Sequence, residues 1–295
     1  MKKLEFSGLW TALITPMFDD GKIDYDSLQG IVEAQIASGV DGLVSVGTTG
    51  ESPTLSVSEH IEVIKKTVEF ANNRIPVLAG TGSNNTVEAV KYTKESEEVG
   101  ADGFLMVAPY YNKPSQEGLF LHFSQIAKIT KKPVMLYSIP GRCGIEISNE
   151  TVIRLYENYE NFYSIKEAGG KSEKVADLHS KSSGIDILSG DDSLLLDFYA
   201  AGAKGLVSVA SNIFPKQMAE LMALVKANKL EEANKINDSL KAFFKALFIE
   251  PNPVPAKTAM AYLGMIKSDF VRLPLCKMSE NNKNILLETL NEIKA

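Results

Sequence analysis

The chain has few of the residues that form disulfide cross-links or that most often bind metals. Its 295 residues include two cysteines, Cys143 and Cys276, and three histidines, His60, His122 and His179, that lie far apart in the sequence. Two cysteines are too few for a disulfide framework, and histidines without a closely spaced partner do not predict a metal site. We therefore expect no metal and a reducing, cytoplasmic compartment.

Two further absences narrow the class of partner. The formal net charge is -6 and the pI is about 5.3, so no basic surface is predicted for nucleic acid or for an anionic membrane. No uninterrupted apolar run approaches the roughly 18 to 20 residues that span a bilayer. Glu5 lies where the apolar core of a signal peptide would begin. The sequence therefore predicts a globular protein that binds neither nucleic acid nor membrane.

Short apolar runs alternate with segments of helical period along most of the chain. The runs are residues 9–14, 43–46, 77–79, 104–108, 134–137, 162–166, 185–188 and 206–209. The helical segments are residues 25–38, 59–71, 86–99, 117–130, 149–156, 172–179, 193–201 and 216–226. Runs that do not alternate in polarity are typical of strands buried on both faces of a parallel sheet. Eight such units in about 225 residues predict an α/β fold, a (β/α)8 TIM barrel, whose usual size is about 250 residues.

The alternative is an open doubly wound sheet, which is disfavoured because no glycine-rich phosphate motif follows the first run. Beyond residue 228 the pattern is helical, at 230–248, 256–264 and 280–295, with a proline-rich break at 251–255. We expect residues 1–228 to form the catalytic barrel and residues 229–295 a C-terminal helical region. Ser56 with Glu59, and Asn85 with Glu88, have the spacing of capping boxes at helix starts.

Lys166 is the residue most suggestive of chemistry. It lies in a run of β-branched and aromatic residues, where burial would lower its pKa and leave a neutral amine that attacks carbonyl groups. Tyr137 ends the preceding run and shares a strand face with Met135, so its phenol could transfer protons beside that amine. The alternative is that Lys166 is a solvated charge at a strand end, which is the more common situation for lysine.

Three loops after strands carry further polar groups. Residues 47–52 combine glycines with hydroxyls and could bind a carboxylate, or could simply form a hydrogen-bonded turn. Tyr110 and Tyr111 follow the fourth run, where aromatic packing is the alternative. Arg142 follows the fifth and could bind an anion or form a surface ion pair.

Two other features suggest chemistry less strongly. Asp191 and Asp192 follow the seventh run and suggest a metal, but one of them is more simply the cap of the next helix. Cys143, without a histidine nearby in sequence, is interpreted as a small packing residue.

Taken in order, these motifs resemble the pyruvate-dependent class I aldolases, and among them the dihydrodipicolinate synthases. The matching segments are residues 47–52, 109–114, 137–144, 165–168, 188–192 and 250–257, and the resemblance covers essentially the whole chain. It implies a TIM barrel with a C-terminal helical region, assembled as a homotetramer that is a dimer of dimers. The chain departs from the common pattern at Ser138, where asparagine is usual, and at Cys143, where threonine or serine is usual.

The resemblance also implies a role for individual residues and no cofactor. Lys166 would form the Schiff base, Tyr137 would shuttle protons, Thr48 would relay them, and Tyr111 would complete the relay across a dimer interface. The remaining implied roles concern substrate: Thr48 and Thr49 for the pyruvate carboxylate, Arg142 for the carboxylate of the second substrate, and Gly190 and Val207 as further substrate-binding residues.

The implied activity is that of a lyase of diaminopimelate and lysine biosynthesis. It would condense pyruvate with L-aspartate 4-semialdehyde to give 4-hydroxy-tetrahydrodipicolinate. Arg142 favours this reaction, because the related sialic-acid lyases lack an arginine at that point. The alternatives are a pyruvate-dependent sugar-acid aldolase such as N-acetylneuraminate lyase, and a catalytically silent relative that senses a metabolite. Silence is disfavoured because the lysine and all three relay residues are present.

Regulation by L-lysine is a further expectation from the resemblance. The matching effector positions are Ser52, Pro53, Val57, His60, Asn84, Glu88 and Tyr110. Glu88 offers a carboxylate for an ammonium group, and Asn84 and Tyr110 offer donors for a carboxylate. Val57 and Pro53 depart from the residues usual there, which predicts weaker binding. The alternative is that Asn84 and Glu88 serve only the start of the third barrel helix.

Overall fold

The computed structural model describes residues 4–294 and contains a closed barrel of eight parallel strands in the order of the chain. The strands are β1 (Gly8–Ala12), β2 (Gly42–Ser45), β3 (Val77–Gly80), β4 (Gly103–Val107), β5 (Val134–Ser138), β6 (Phe162–Glu167), β7 (Asp186–Ser189) and β8 (Gly205–Ser208). Each predicted apolar run coincides with a strand, and no predicted end differs from the observed one by more than two residues. The predicted (β/α)8 fold is therefore confirmed, and the open sheet is wrong because β8 pairs with β1.

Helices surround the barrel, and three more follow it. They are α1 (Tyr25–Ala37), α2 (Val57–Ala71), α3 (Thr86–Glu98), α4 (Gln116–Ala127), α5 (Pro140–Cys143), α6 (Asn149–Asn158), α7 (Ser172–Lys181), α8 (Leu195–Ala200), α9 (Pro215–Lys226), α10 (Leu230–Ala246), α11 (Val254–Tyr262) and α12 (Glu280–Lys294). The sequence did not predict α5. The segment expected at 193–201 divides into a 3-10 turn, Asp192–Leu194, followed by α8.

One of the two predicted capping boxes is confirmed and the other is wrong. At α2 the Ser56 hydroxyl accepts from the backbone N–H of Glu59, whose carboxylate accepts from the N–H of Ser56 at 2.8 Å. At α3 the Asn85 side chain caps the N–H of Val87. The N–H of Asn85, which Glu88 would accept from in a capping box, donates to the Ser83 hydroxyl oxygen instead. The same hydroxyl donates to the carboxylate of Glu88.

Close packing fills the barrel interior, so it is a core and not a channel. Trp10, Val44, Leu78 and Met135 are fully buried there. Gly42 makes room for the indole: a Cβ at this position would lie 2.3 Å from the Trp10 ring. Polar chemistry is therefore confined to the rim at the C-terminal ends of the strands.

A register shift between β5 and β6 aligns the two residues singled out above. Val134 pairs with Phe162, but Met135 pairs with Ser164, so Tyr163 is an extra residue in β6. Beyond this bulge Tyr137 lies directly opposite Lys166. Residues at the same level of neighbouring strands point to the same face. The phenol and the amine consequently both face into the barrel mouth.

Helices α10, α11 and α12 pack against one side of the barrel. Phe243, Met260 and Leu290 share a buried apolar cluster with Leu9 of β1 and Met222 of α9. The connection from α10 to α11 reaches the rim of the barrel and brings Asn252 to Thr49. Within residues 4–294, no helix combines the length and apolar character needed to cross a bilayer.

Candidate active site

Lys166 and Tyr137 meet at the mouth of the barrel. The Lys166 amine lies 4.3 Å from the centroid of the Tyr137 ring. Each residue is 5% exposed. The interpretation of Lys166 as a solvated edge charge is therefore wrong: the amine is enclosed by the residues around the end of β6.

The surroundings favour a neutral amine at Lys166. Burial lowers its pKa to about 8, because an ammonium loses its hydration there. The carboxylate of Asp192 opposes this shift and the guanidinium of Arg142 adds to it. About a tenth of Lys166 is therefore neutral at pH 7 and able to act as a nucleophile, far more than for an amine with the ordinary pKa of 10.5.

Tyr137 is held in its protonated form. Burial raises the pKa of its phenol well above the usual value, while the charge of Arg142 and a polar interaction with the Thr48 side chain oppose the rise. A protonated phenol in this position can donate a proton. The interaction with the Thr48 side chain favours the phenolate that such a transfer would leave.

The loop after β2 is fixed at both ends. Val46 and Glu51 both adopt left-handed backbone conformations, with φ of 56° and 58°. Between them Thr49 is 3% exposed, and its hydroxyl accepts from the amide of Asn252 at 3.0 Å. The Thr15 hydroxyl donates to the carbonyl of Gly50 at 2.7 Å. The Thr48 and Thr49 pair therefore has a defined position at the rim.

A cavity of about 210 Å³ opens beside these groups. Its walls include Thr48, Tyr137, Arg142 and Cys143. Arg142 reaches it from the short helix α5 and donates to the carbonyl of Asn252 at 3.3 Å. Cys143 is buried, as a packing residue should be, and its thiol donates to the carbonyl of Ala108 at 3.3 Å. The cavity thus combines an acid, hydroxyls and a fixed positive charge.

Gly190 and Val207 lie at different depths below the rim. A Cβ on Gly190 would come within 2.9 Å of Lys166 Cε, so only glycine leaves room for the lysine side chain. Val207 is fully buried in the barrel interior with Leu188. Substrate contact by these two residues stays a prediction.

Tyr111 lies apart from Thr48 and Tyr137 within a single chain. It is 89% exposed, in a left-handed conformation with φ of 74°. The cavity walls include Tyr110 but not Tyr111. A place for Tyr111 in the relay therefore requires a second copy of the chain.

Part of the expected effector set borders the cavity. Ser52, Pro53 and Tyr110 form part of its wall. Asn84 donates to the carbonyl of Tyr110 at 3.2 Å. His60 is 1% exposed, stacks on Tyr92 and has its Nε2 2.8 Å from the carbonyl of Gly80. Burial lowers the pKa of His60 to about 4, so the ring is neutral at physiological pH.

The two aspartates after β7 have different roles. Asp191 caps the following turn by accepting from the N–H of Ser193, as expected for one of the pair. Asp192 is 1% exposed and accepts from the Ser208 hydroxyl and from the N–H groups of Val209 and Ala210. In the part of the chain that the structure describes, no three acidic, histidine or cysteine side chains converge as a metal site would require.

Sequence reasoning gave no role to several buried polar residues near the rim. Glu167, next to Lys166, is 3% exposed and pairs with Lys174 at 2.9 Å. Lys257 pairs with Glu51 at 2.6 Å, and both side chains are 0% exposed. A lysine inside the otherwise apolar helix α11 was a signal that a buried partner exists, but the sequence could not identify that partner.

The fold and this rim are those of a (β/α)8-barrel enzyme with a buried amine. Comparison with known proteins is more specific: the model of the dihydrodipicolinate synthetase family matches residues 5–293, and the chain belongs to this family.

Individual relatives match over nearly their whole length. The 4-hydroxy-tetrahydrodipicolinate synthase of Methanococcus maripaludis (strain C7) is 47% identical over 286 residues, which are 97% of this chain and 98% of the relative. The solved structure of the 4-hydroxy-tetrahydrodipicolinate synthase of Methylacidiphilum fumariolicum SolV superposes with a TM-score of 0.96 at 48% identity, covering 98% of this chain and 96% of that one. The DHDPS of Cyanidioschyzon merolae, solved with lysine bound, has a TM-score of 0.94 at 37% identity and 98% coverage of both chains.

Proposed function

We propose that the protein is a 4-hydroxy-tetrahydrodipicolinate synthase, a lyase that joins pyruvate to L-aspartate 4-semialdehyde in diaminopimelate and lysine biosynthesis. One observation carries the proposal. The buried Lys166 amine lies 4.3 Å from the centroid of the Tyr137 ring, and Tyr137 borders a cavity whose walls also include Thr48 and Arg142. The names of the relatives support the same conclusion.

The first half-reaction activates pyruvate on Lys166. The neutral amine attacks C2 of pyruvate, the C2 oxygen takes up protons through Tyr137 and leaves as water, and an iminium forms. The hydroxyls of Thr48 and Thr49 bind the pyruvate carboxylate. The iminium draws electrons from C3, which loses a proton and becomes a carbon nucleophile. Because Lys166 provides this electron sink, the reaction requires no bound cofactor.

The second half-reaction forms the carbon–carbon bond. The enamine carbon attacks the aldehyde of the semialdehyde, whose oxygen is protonated. The amino group of the semialdehyde unit then adds to C2, displaces Lys166 and closes a six-membered ring. Arg142 pairs with the carboxylate of this substrate through its planar fork. The whole sequence releases one water molecule and regenerates the lysine.

The alternative activity is cleavage of a sugar acid by the same iminium chemistry. Arg142 disfavours it, because a guanidinium at the cavity wall suits a short substrate with a second carboxylate better than a polyhydroxylated chain. A catalytically silent protein that only senses a metabolite is disfavoured too, because Lys166, Tyr137 and Thr48 all lie at the same rim of the barrel.

Borohydride trapping followed by peptide mapping tests the chemistry. Pyruvate should be fixed on Lys166, and Lys166→Ala should abolish both trapping and turnover. Turnover is then measured with the semialdehyde and, separately, with N-acetylneuraminate. An adduct on another lysine would contradict the mechanism, and turnover of the sugar acid alone would contradict the substrate.

The rest of the proposal concerns arrangement and assembly. Residues 1–228 supply the barrel and residues 229–295 the helical region that reaches its rim. The active form is a cytoplasmic homotetramer, a dimer of dimers in which Tyr111 of one subunit completes the relay of another. The 89% exposure of Tyr111 in the single chain supports a role that depends on a partner.

L-lysine is the proposed effector. Support comes from the lysine-bound relative and from the closeness of Ser52 and Tyr110 to the cavity. Lysine should inhibit at saturating pyruvate, and Glu88→Gln should weaken that inhibition without changing basal turnover. Absence of inhibition and of calorimetric binding at millimolar lysine would mean that these residues serve the helix start alone.

A further inference from the structure

A buried ion pair ties the loop after β2 to the C-terminal helical region. Lys257 of α11 donates to Oε1 of Glu51 at 2.6 Å, and both side chains are 0% exposed. The other oxygen of Glu51, Oε2, accepts from the backbone N–H of Arg272 at 3.0 Å. Neither Glu51 nor Lys257 borders the cavity. The iminium chemistry described above therefore gives this pair no role.

Stability alone is a weak reason for such a pair. Removing two charges from water costs about as much as their attraction returns, and apolar residues of similar volume are often as stabilising. A buried pair does fix the relative positions of its two side chains, because each charge must lie at hydrogen-bonding distance from the other. Such a pair can therefore hold a particular backbone conformation in place.

The backbone conformation that the pair holds in place is that of Glu51. Its φ of 58° is a conformation that residues other than glycine seldom adopt. Both carboxylate oxygens of Glu51 are fixed by partners in the C-terminal region, so the side chain holds its own backbone in place. Glu51 closes the loop that begins at Val46, which is left-handed as well. The residues between them include Thr48 and Thr49.

A second contact joins the same two parts of the molecule. Asn252, just before α11, donates to the Thr49 hydroxyl at 3.0 Å, and its carbonyl accepts from Arg142 at 3.3 Å. The C-terminal region thus touches the loop in the middle and at its end. We propose that Glu51 and Lys257 are positioning residues, which hold the Thr48 and Thr49 hydroxyls where pyruvate and Tyr137 need them. This inference rests on the proposed function.

Single and double variants separate positioning from stability. Lys257→Met leaves Glu51 buried without a counter-charge, and Glu51→Gln does the reverse, so each should lower the unfolding temperature. The double variant E51Q/K257M has no charge at either position of the pair and should regain most of that loss. If the pair positions the loop, the double variant still loses at least tenfold in kcat/KM for pyruvate and in the rate of borohydride trapping. Its KM for the semialdehyde stays close to that of the wild type.

A surface pair of the same length provides the control. Lys204 and Asp186 are 2.6 Å apart near the N-terminal ends of β8 and β7, away from the rim. Lys204→Met should leave both kinetic constants unchanged. Where the double variant does not fold, Glu51→Asp keeps the charge but shortens its reach by one methylene. It should raise KM for pyruvate severalfold.

Two results would overturn the inference. They are a folded double variant that traps pyruvate at the wild-type rate, and a folded Glu51→Asp enzyme with unchanged KM for pyruvate. The wild type serves as the reference in each series. If it fails to trap pyruvate on Lys166, the proposed function itself is wrong. If it traps normally and the variants do as well, the positioning role alone is wrong.

Discussion

Arg142 is the residue to which we assign the choice of second substrate in the proposed function. Its guanidinium borders the cavity and donates to the carbonyl of Asn252, a contact that does not neutralise its charge. We expect Arg142→Ala to cost about 1.5–3 kcal/mol in kcat/KM for the semialdehyde, or roughly tenfold to more than a hundredfold.

Arg142→Lys is the matched control for that variant. It keeps the charge without the planar fork and should fall between Arg142→Ala and the wild type. Borohydride trapping of pyruvate should be nearly unaffected by either change. Equal loss in trapping and in turnover would show that Arg142 acts on the first substrate instead.

The pH dependence of iminium formation follows from the amine of Lys166. Its pKa is lowered from 10.5 to about 8 by burial, so the neutral fraction grows with pH up to that value and then levels off. The trapping rate at low pyruvate should therefore rise between about pH 6 and about 8 and be flat above it. A rate that climbs steadily to about pH 10 would show that the amine is solvated.

A variant of Asp192 tests this pH profile, because it should shift the profile in a predictable direction. Its carboxylate stabilises the ammonium form of Lys166, which raises the pKa of the amine. Asp192→Asn removes the charge. Its single amide oxygen can still accept from the N–H groups of Val209 and Ala210, while its NH2 group can donate to the Ser208 hydroxyl oxygen. The plateau of the trapping rate should begin at lower pH in this variant. A shift to higher pH would reverse the assigned interaction.

At the scale of single elements, two glycines should respond in opposite directions to the same substitution. Gly42 of β2 faces Trp10, and a Cβ there would meet the indole at 2.3 Å. Gly42→Ala should destabilise the barrel by about 1–3 kcal/mol through overpacking. A Cβ added at Gly30 of α1 would meet no neighbouring side chain or element within 4 Å. Gly30→Ala should therefore stabilise by about 1 kcal/mol through helix propensity.

Thermal unfolding of the two glycine variants checks both signs. Trp10 is the one tryptophan of the chain, so its fluorescence reports directly on the packing beside Gly42. The emission should change in Gly42→Ala and not in Gly30→Ala. Equal unfolding temperatures for both variants would mean that the barrel interior yields to an added methyl group.

The sequence predicted the elements well because each strand and helix is encoded locally. Apolar runs located all eight strands, and the glycines Gly39, Gly100 and Gly202, which all have positive φ, each lie two residues after the end of a helix. The sequence missed what depends on distant partners. Nothing near Glu51 indicates that its counter-ion is Lys257, 206 positions further along the chain.

The same limit applies to the rim. Lys166 and Tyr137 could be recognised from their strand ends. The loops that contain Thr48 and Arg142 could be recognised as anion-binding candidates, and the resemblance supplied a specific role for each residue. The burial of Asp192 and His60 could not be foreseen, because it results from the closure of β7, β8 and α2 around them. Substrate contact by Gly190 and Val207 remains a prediction. Neither residue has a polar side chain, and neither belongs to the cavity wall.

At the scale of the whole molecule, the relay role proposed for Tyr111 would make activity depend on assembly. Its side chain is 89% exposed and lies outside the cavity of its own subunit. Specific activity should therefore fall on dilution below the dimer dissociation constant, as followed by sedimentation of the same samples. A monomer with full activity would rule out the shared relay.

Mixed subunits provide a sharper test of the shared relay. Lys166→Ala and Tyr111→Phe should each be inactive or impaired alone. When they exchange subunits, one site of each mixed dimer combines an intact Lys166 with an intact Tyr111 from its partner. Activity should then return to about a quarter of the wild-type level for random pairing across a two-fold interface. No recovery in a mixture with proven exchange would place Tyr111 outside the relay.

The extra residue in β6 has a consequence for any design that transfers Lys166 and Tyr137, the proposed catalytic pair, to another barrel. If the six residues of β6 paired regularly from Phe162 onward, Tyr137 would lie opposite Ile165, and Lys166 would turn outward toward the helices. A designed barrel that copied the residues onto perfectly regular strands would thus place the lysine and the tyrosine on opposite faces of the wall. The bulge therefore sets the register that brings Lys166 opposite Tyr137. A designer must either copy the bulge or leave out one residue before Ser164.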